Sequence, residues 1–411
     1  MRRSKKGMSE QRTQIAERFV ESFAGVPLTA ECVFRSPQYL DKGTQKEVCD
    51  FILVLRDQAI LISMKSQEDP SQRASEKLER WIIKNAKSAL AQAKGAMRTI
   101  SRSDFWCQHS RRGRVEFRPG VLDIRHLIVT TEIFNERVRL PDILDLEVGE
   151  IPVSYLGLND LCNLINELRT FPDLDEYLSA RSVLPKSVLR AVGDEKPLFT
   201  YYIVNHRSFA GCSGYEDARI VAAAGESEIE IYNYFKPLRN RFAAYIECVS
   251  DRLATRLEDY DKNLEPALAK LYDDPQNRAN YRLMQDELCD LRFSEREHLG
   301  LQLHRLREKV ESSGDKESMT YGAVYVDSKP DFVYVLISAK GVERVELIKR
   351  ASVLLRGAVT HYEKERGMVI ADRDGENFEV QLAAGLTRDS ISEMLAEMYF
   401  SKLKITDIEC V

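Results

Sequence analysis

Between Lys46 and Gln67 the chain reads KEVCDFILVLRDQAILISMKSQ, and an acid, Asp50, and an amine, Lys65, stand at the outer ends of two apolar runs. A carboxylate and an ammonium brought together form an ordinary cross-strand ion pair, or else a metal ligand beside a charge-stabilising lysine. Whether they meet depends on what separates them. The runs Phe51 to Leu55 and Ala59 to Ile62 flank the polar turn Arg56-Asp57-Gln58, a pattern that predicts a β-hairpin. In an antiparallel pair joined by so short a turn the outer ends lie side by side, so Asp50 and Lys65 are expected at the same end.

Asp50, the triplet Ser63-Met64-Lys65 and Gln67 resemble the core motif of the PD-(D/E)xK, or restriction-endonuclease-like, nuclease superfamily. That motif places an Asp at the start of one strand and acid-x-Lys at the end of the next, often with a Gln two residues beyond the Lys. Ser63 departs from it, standing where Asp or Glu is usual, and a serine is a poor ligand for a hard divalent cation. The resemblance implies that Asp50 and a further carboxylate hold Mg²⁺ or Mn²⁺. Glu47, just upstream, or Glu17 or Glu21 of the first helix are the candidates for that second acid. It implies further that Lys65 stabilises the pentavalent state or orients the nucleophile, and that Gln67 positions phosphate or water. The activity implied is hydrolysis of phosphodiester bonds in DNA or RNA by a metal-dependent nuclease, with bacterial defence, repair and restriction as possible settings. The alternative is a catalytically inactive nuclease-like domain that serves as a nucleic-acid or protein-binding module.

The elements that must position these residues are legible around them. Ile15, Phe19, Val20 and Phe23 follow helical spacing up to Gly25 and Pro27, and a short strand is expected at Cys32 to Tyr39. Asp69-Pro70 supplies a cap and a first-turn proline for a long helix from about Ser71 to Ile100. Its apolar face runs through Leu78, Trp81, Ile82, Ala89, Leu90, Ala93 and Met97. Arg73, Lys77, Arg80, Lys84, Lys87, Lys94 and Arg98 recur on the other side. At 1.5 Å per residue these make a basic ridge of roughly 38 Å, which is either a solvated face or a track for several phosphates. A second basic group, Arg111, Arg112, Arg114 and Arg118, lies close to Trp106 and His109, where an aromatic and basic loop can grip a nucleic-acid strand. HLIVTT at 126 to 131 and IPVSYL at 151 to 156 read as strands, followed by helices over Asn159 to Arg169 and near Leu174 to Tyr177. This order fits an α/β fold with one mixed central sheet flanked by helices.

Beyond it, Tyr201 to Val204 reads as a strand, and AGCSGYED at 210 to 217 as a turn. From Glu226 to Ser312 the chain becomes charged, Leu-rich and helical, with breaks expected near Pro237, Pro266 and Pro275. After SSGDKES come two strands, a helix, two strands around Asp374-Gly375, and a final helix, which make a second, smaller α/β unit. The domains expected are a nuclease-like 1–185, a linker and helical region 186–312, and a C-terminal α/β domain 313–411.

Composition narrows the class. With 44% hydrophobic and 30% charged residues in 411, the chain is an ordinary globular protein of two or three domains. No apolar run approaches the roughly 20 residues that span a bilayer, and MRRSKKG lacks the apolar stretch of a signal peptide, so no membrane partner and a cytoplasmic setting are expected. The eight cysteines show no CxxC spacing and no clustering near histidine, which disfavours a zinc site and a disulfide framework. The net charge of −5 hides an asymmetry: residues 1–120 carry 23 Lys or Arg against 14 Asp or Glu. A basic N-terminal portion suits a polyanion such as DNA or RNA, while the acidic helical and C-terminal regions suit a protein partner or a second copy.

Overall fold

The computed structural model describes residues 30–66, 75–132, 147–192, 195–212, 226–262, 275–374, 377–384 and 389–401. The chain divides into two compact units, Met1–Phe235 and Lys236–Val411. The sequence pattern suggests three segments, and the middle one, 186–312, is shared between these two units.

In the first unit, apolar runs at the centre, such as Phe51 to Leu55 and Ala59 to Ile62, belong to a mixed sheet of nine strands among the described residues. They are β1 (Val33–Asp41), β2 (Thr44–Glu47), β3 (Phe51–Leu55), β4 (Gln58–Ser66), β5 (Phe105–His109), β6 (Gly113–Phe117), β7 (Asp123–Glu132), β8 (Glu147–Val148) and β9 (Ile151–Gly157). The spatial order is β6-β5-β1-β3-β4-β7-β9-β8, with β2 paired to β1. β3 and β4 form the expected hairpin, in register from Phe51 opposite Ile62 to Leu55 opposite Gln58. β4 then runs parallel to β7, and β7 parallel to β9. Parallel neighbours need a crossover. The long helix α1 (Ser75–Arg102) supplies it and packs over both β4 and β7.

Strand alternation assigns the two faces. Ile52, Val54, Ala59, Leu61, Leu127 and Val129 pack against Ala86, Ala89, Leu90, Ala93, Ala96 and Ile100 of α1. The opposite face meets α2 (Leu158–Leu168) and α3 (Phe171–Ser182), where His126 Nε2 lies 3.1 Å from the Asp175 carboxylate and 3.2 Å from the Ser179 hydroxyl. α4 (Lys186–Val192) and α5 (Glu195–Val204) follow. The strand expected at Tyr201 to Val204 is instead the last turn of α5. Leu198, Tyr201 and Tyr202 recur at helical spacing and are buried, so packing overrides the β propensity of the aromatic run. Glu195 opens α5 and accepts from Arg181 Nε at 2.6 Å, from Arg181 Nη2 at 3.0 Å and from the Tyr177 hydroxyl at 2.7 Å.

α6 (Glu226–Lys262) contains Pro237 in its interior, where a break was expected; the helix continues at the loss of one backbone hydrogen bond. The second unit continues with α7 (Pro275–Cys289), α8 (Phe293–Ser312), β10 (Ser318–Val324), β11 (Phe332–Lys340), α9 (Arg344–His361), β12 (Arg366–Arg373), β13 (Asn377–Ala384) and α10 (Ser390–Phe400). Its sheet has the order β10-β11-β12-β13, with only β11 and β12 parallel and α9 between them in the chain. Leu288, Leu299 and Leu303 cover one face through Phe332, Tyr334 and Leu336; Leu347, Ala351 and Leu354 cover the other through Val333, Val335 and Ile337. Among the described residues, no helix is long and apolar enough to cross a membrane.

Candidate active site

Asp50 lies one step beyond the β3–β4 ladder. Because Phe51 pairs with Ile62, it stands opposite Ser63 and diagonal to Lys65. Its parity is that of Ile52 and Val54, while Ser63 and Lys65 continue the series Ala59, Leu61 on β4. All three therefore belong to the face that α1 covers. β1 helps to fix the position of Asp50: its register against β5 shifts between Arg35 and Gln38, and Ser36 takes a φ of 45°, uncommon outside glycine. The Ser36 N–H donates to the Asp50 carbonyl at 2.9 Å.

Asp50, Ser63 and Lys65 line a cavity of about 330 Å³, together with Tyr39, Glu47, Val48 and Cys49 and, from α1, Gln92, Gly95, Ala96 and Thr99. The hairpin thus brings together Asp50, Ser63 and Lys65, and the adjoining β2 adds Glu47. Burial raises the Asp50 carboxyl above the usual carboxylate range. The Met64 N–H, which donates to Oδ2 at 2.7 Å, the Lys65 charge and the Ser63 hydroxyl each offset part of that shift. Burial and the neighbouring Asp50 push the Cys49 thiol well above its ordinary value, and its Sγ donates to the Phe51 carbonyl at 3.3 Å.

The side-chain donors here suit a hard cation, since the two carboxylates offer only oxygen. Mg²⁺ needs one or two protein carboxylates and keeps water or substrate phosphate as its other ligands. Asp50 and Glu47 both line the cavity, and they are the carboxylates that would hold such an ion. Among the described residues, no group of three or more His, Cys, Asp or Glu side chains is placed to hold a metal. Ser63, 4% exposed and hydrogen-bonded to Asp50, fills the position where the motif has its acid. Gln67, Glu17 and Glu21 lie outside the described residues.

The basic residues of α1 are arranged differently from those of the β5–β6 hairpin. Arg80, Lys84, Lys87 and Arg98 are exposed and Lys94 is half-buried; Arg73 and the side chain of Lys77 lie outside the described residues. At 3.6 residues per turn this stripe sits opposite the buried face of Ile82, Ala89 and Ala93, and about a quarter of a turn from the cavity wall. It borders the cavity without pointing into it. In the hairpin, Arg112 Nε donates to the buried Glu31 at 2.6 Å, and Arg111 Nη1 lies 3.8 Å from the same carboxylate. The buried His109 accepts through Nδ1 from the Arg111 and Arg112 N–H groups, and Arg114 covers the Trp106 ring at 4.1 Å. This aromatic and basic group is therefore a packed hairpin end in which Arg111 and Arg112 hold structural partners.

Tyr39 and the wall Gln92, Gly95 and Thr99 are not among the residues that the motif singles out. The sequence signal for the wall is a strip of polar or small residues three and four apart, lying between the apolar face and the basic stripe. Comparison with protein-family models, with curated proteins and with solved structures finds no match for this chain.

Proposed function

We propose that the first unit is a metal-dependent phosphodiesterase acting on DNA or RNA, with Asp50 and Glu47 as the carboxylates that hold Mg²⁺ or Mn²⁺. The observation that carries this reading is the convergence of Asp50, Ser63 and Lys65 on one polar cavity beneath α1, in a sheet face that is otherwise apolar. A divalent ion bound there would neutralise phosphate charge and activate water. The chain's own contribution is positional. The Met64 N–H and the Ser63 hydroxyl orient the Asp50 carboxylate, and Lys65, close enough to draw that carboxyl's pKa down, supplies a positive charge for a phosphate oxygen. The basic stripe on α1 would carry the rest of the polyanion past the cavity rim. Defence against foreign nucleic acid is a setting that suits such an activity.

A second reading has its own observation. Ser63 is buried against Asp50 in the position of the motif's acid, which leaves a weaker oxygen set and suits an inactive module that binds nucleic acid or protein. One experiment separates the two. Plasmid DNA, single-stranded DNA and RNA are incubated with Mg²⁺, Mn²⁺ or EDTA and the wild type, Asp50→Ala or Lys65→Ala, with Mg²⁺ binding followed by calorimetry. The nuclease reading expects metal-dependent cleavage that both substitutions abolish; undiminished cleavage in both ends it. Polyanion binding with neither cleavage nor Mg²⁺ affinity selects the inactive module.

A further inference from the structure

Resting on that reading, we infer that a nucleic-acid strand enters the cavity across the wall of α1 formed by Gln92, Gly95 and Thr99, and that Gly95 is the clearance residue for it. Three glycines lie inside helices among the described residues. At Gly300 an added Cβ would stand 1.9 Å from the Phe242 carbonyl oxygen, and at Gly357 3.1 Å from the Phe400 ring and 3.2 Å from the Leu395 carbonyl oxygen. Those two glycines permit close packing. Gly95 does not, since a Cβ there meets nothing within 4 Å.

Glycine is the least favourable helix-interior residue after proline, and alanine the most favourable. Alanine is also what α1 uses at 86, 89, 91, 93 and 96. An alanine at 95 would strengthen the helix without a clash, so packing gives no reason for the glycine. The space beside it belongs to the cavity that contains Asp50 and Lys65. Thr99, one turn on, also lines the cavity, with its hydroxyl turned back to the Gly95 carbonyl at 3.1 Å. Gln92, one turn earlier and exposed, offers an amide at the rim that both donates and accepts. A low section of wall between two polar turns, leading to a carboxylate and an ammonium, is the shape an extended phosphodiester strand requires.

The test uses the full chain and a fluorescein-labelled single-stranded DNA oligonucleotide, with its RNA counterpart, in Ca²⁺ so that binding is read apart from turnover. Gly95→Leu should fold as the wild type by circular dichroism and thermal melting and weaken binding by about tenfold, the scale on which an unaccommodated side chain disturbs a fitted site. Ser101→Leu, on the far flank of α1, should bind as the wild type. Should Gly95→Leu fold poorly, Gly95→Cys serves: bound oligonucleotide should slow maleimide labelling at position 95, read by peptide mass mapping. Wild-type affinity in Gly95→Leu, or unprotected labelling of Gly95→Cys in a saturated complex, overturns this inference and leaves the nuclease reading standing. A wild type that binds no oligonucleotide removes both.

Discussion

Asp50→Asn separates a metal ligand from a structural carboxyl. Asparagine keeps the size of the side chain and an oxygen to accept the Met64 N–H, which donates to Asp50 at 2.7 Å, and it removes a charge that burial disfavours. Without metal, the variant is therefore expected to melt no lower than the wild type. With Mg²⁺ at a hundred times its dissociation constant, a site that exists only in the folded state adds about 2.7 kcal/mol. For a unit the size of Met1–Phe235, about 2–4 °C per kcal/mol turns this into a rise of about 5–11 °C in the wild type. Asp50→Asn should show none of it. Differential scanning calorimetry with Mg²⁺, with Ca²⁺ and with EDTA reads both halves of the expectation. An equal Mg²⁺ shift in the variant would place the metal elsewhere. A metal-free variant melting several degrees low would make Asp50 a structural residue and end its assignment as a ligand.

Three further outcomes follow from the structure. Arg181→Met should destabilise the first unit by about 3–5 kcal/mol in urea titrations, because it strands the buried Glu195 carboxylate; a loss below about 1 kcal/mol would show the pair to be dispensable. Reversing Lys84, Lys87 and Lys94 to Glu should weaken polyanion binding and flatten the slope of log K against log salt by about 0.9 for each phosphate no longer neutralised, and an unchanged slope would return the stripe to plain surface. Cysteine reactivity is expected to follow burial. Maleimide at neutral pH should label the exposed Cys248 in the native protein but reach Cys162 only after unfolding, since burial pushes that thiol up to about 11 and leaves little thiolate. Peptide mapping that finds Cys162 labelled as fast as Cys248 would contradict this.

The hairpin was legible because its information is local. A two-residue turn between two continuous apolar runs fixes the register, and the register alone places Asp50 opposite Ser63 and diagonal to Lys65. The long helix was legible from its period; its described span is Ser75–Arg102, and the expected start at Ser71 lies outside the described residues. What failed to show were features set by distant partners. Glu31 and Arg112 are far apart in sequence, and nothing in the RRGR run announces that a buried acid awaits two of its guanidinium groups. Tyr201 to Val204 has the composition of a strand, and only the burial of Leu198, Tyr201 and Tyr202 on one side of α5 decides for helix. β2, four exposed residues with no apolar alternation, carries no strand signal, yet its pairing with β1 is what brings Glu47 to the cavity.

The strongest physical reason to place function at the hairpin is a conflict between two levels of the fold. Along the covered face of β4 the residues run Ala59, Leu61, Ser63, Lys65, so the strand turns polar while α1 still lies over it. The helix does not fray there: Ala96 shares in lining the cavity, and both Ala96 and Ile100, one turn further on, remain buried in the same apolar cluster as Ala89 and Ala93. The cavity is thus a gap inside a packed helix–sheet interface rather than a frayed edge. Apolar side chains at 50, 63 and 65 would close it and remove a desolvated carboxylate, and both changes favour stability. A chain whose neighbouring positions on β3 and β4 are apolar and buried on both faces keeps a glycine, a serine and a charged pair around that gap. Such a local departure from the rules obeyed elsewhere in the sheet is expected where the molecule must receive something from outside.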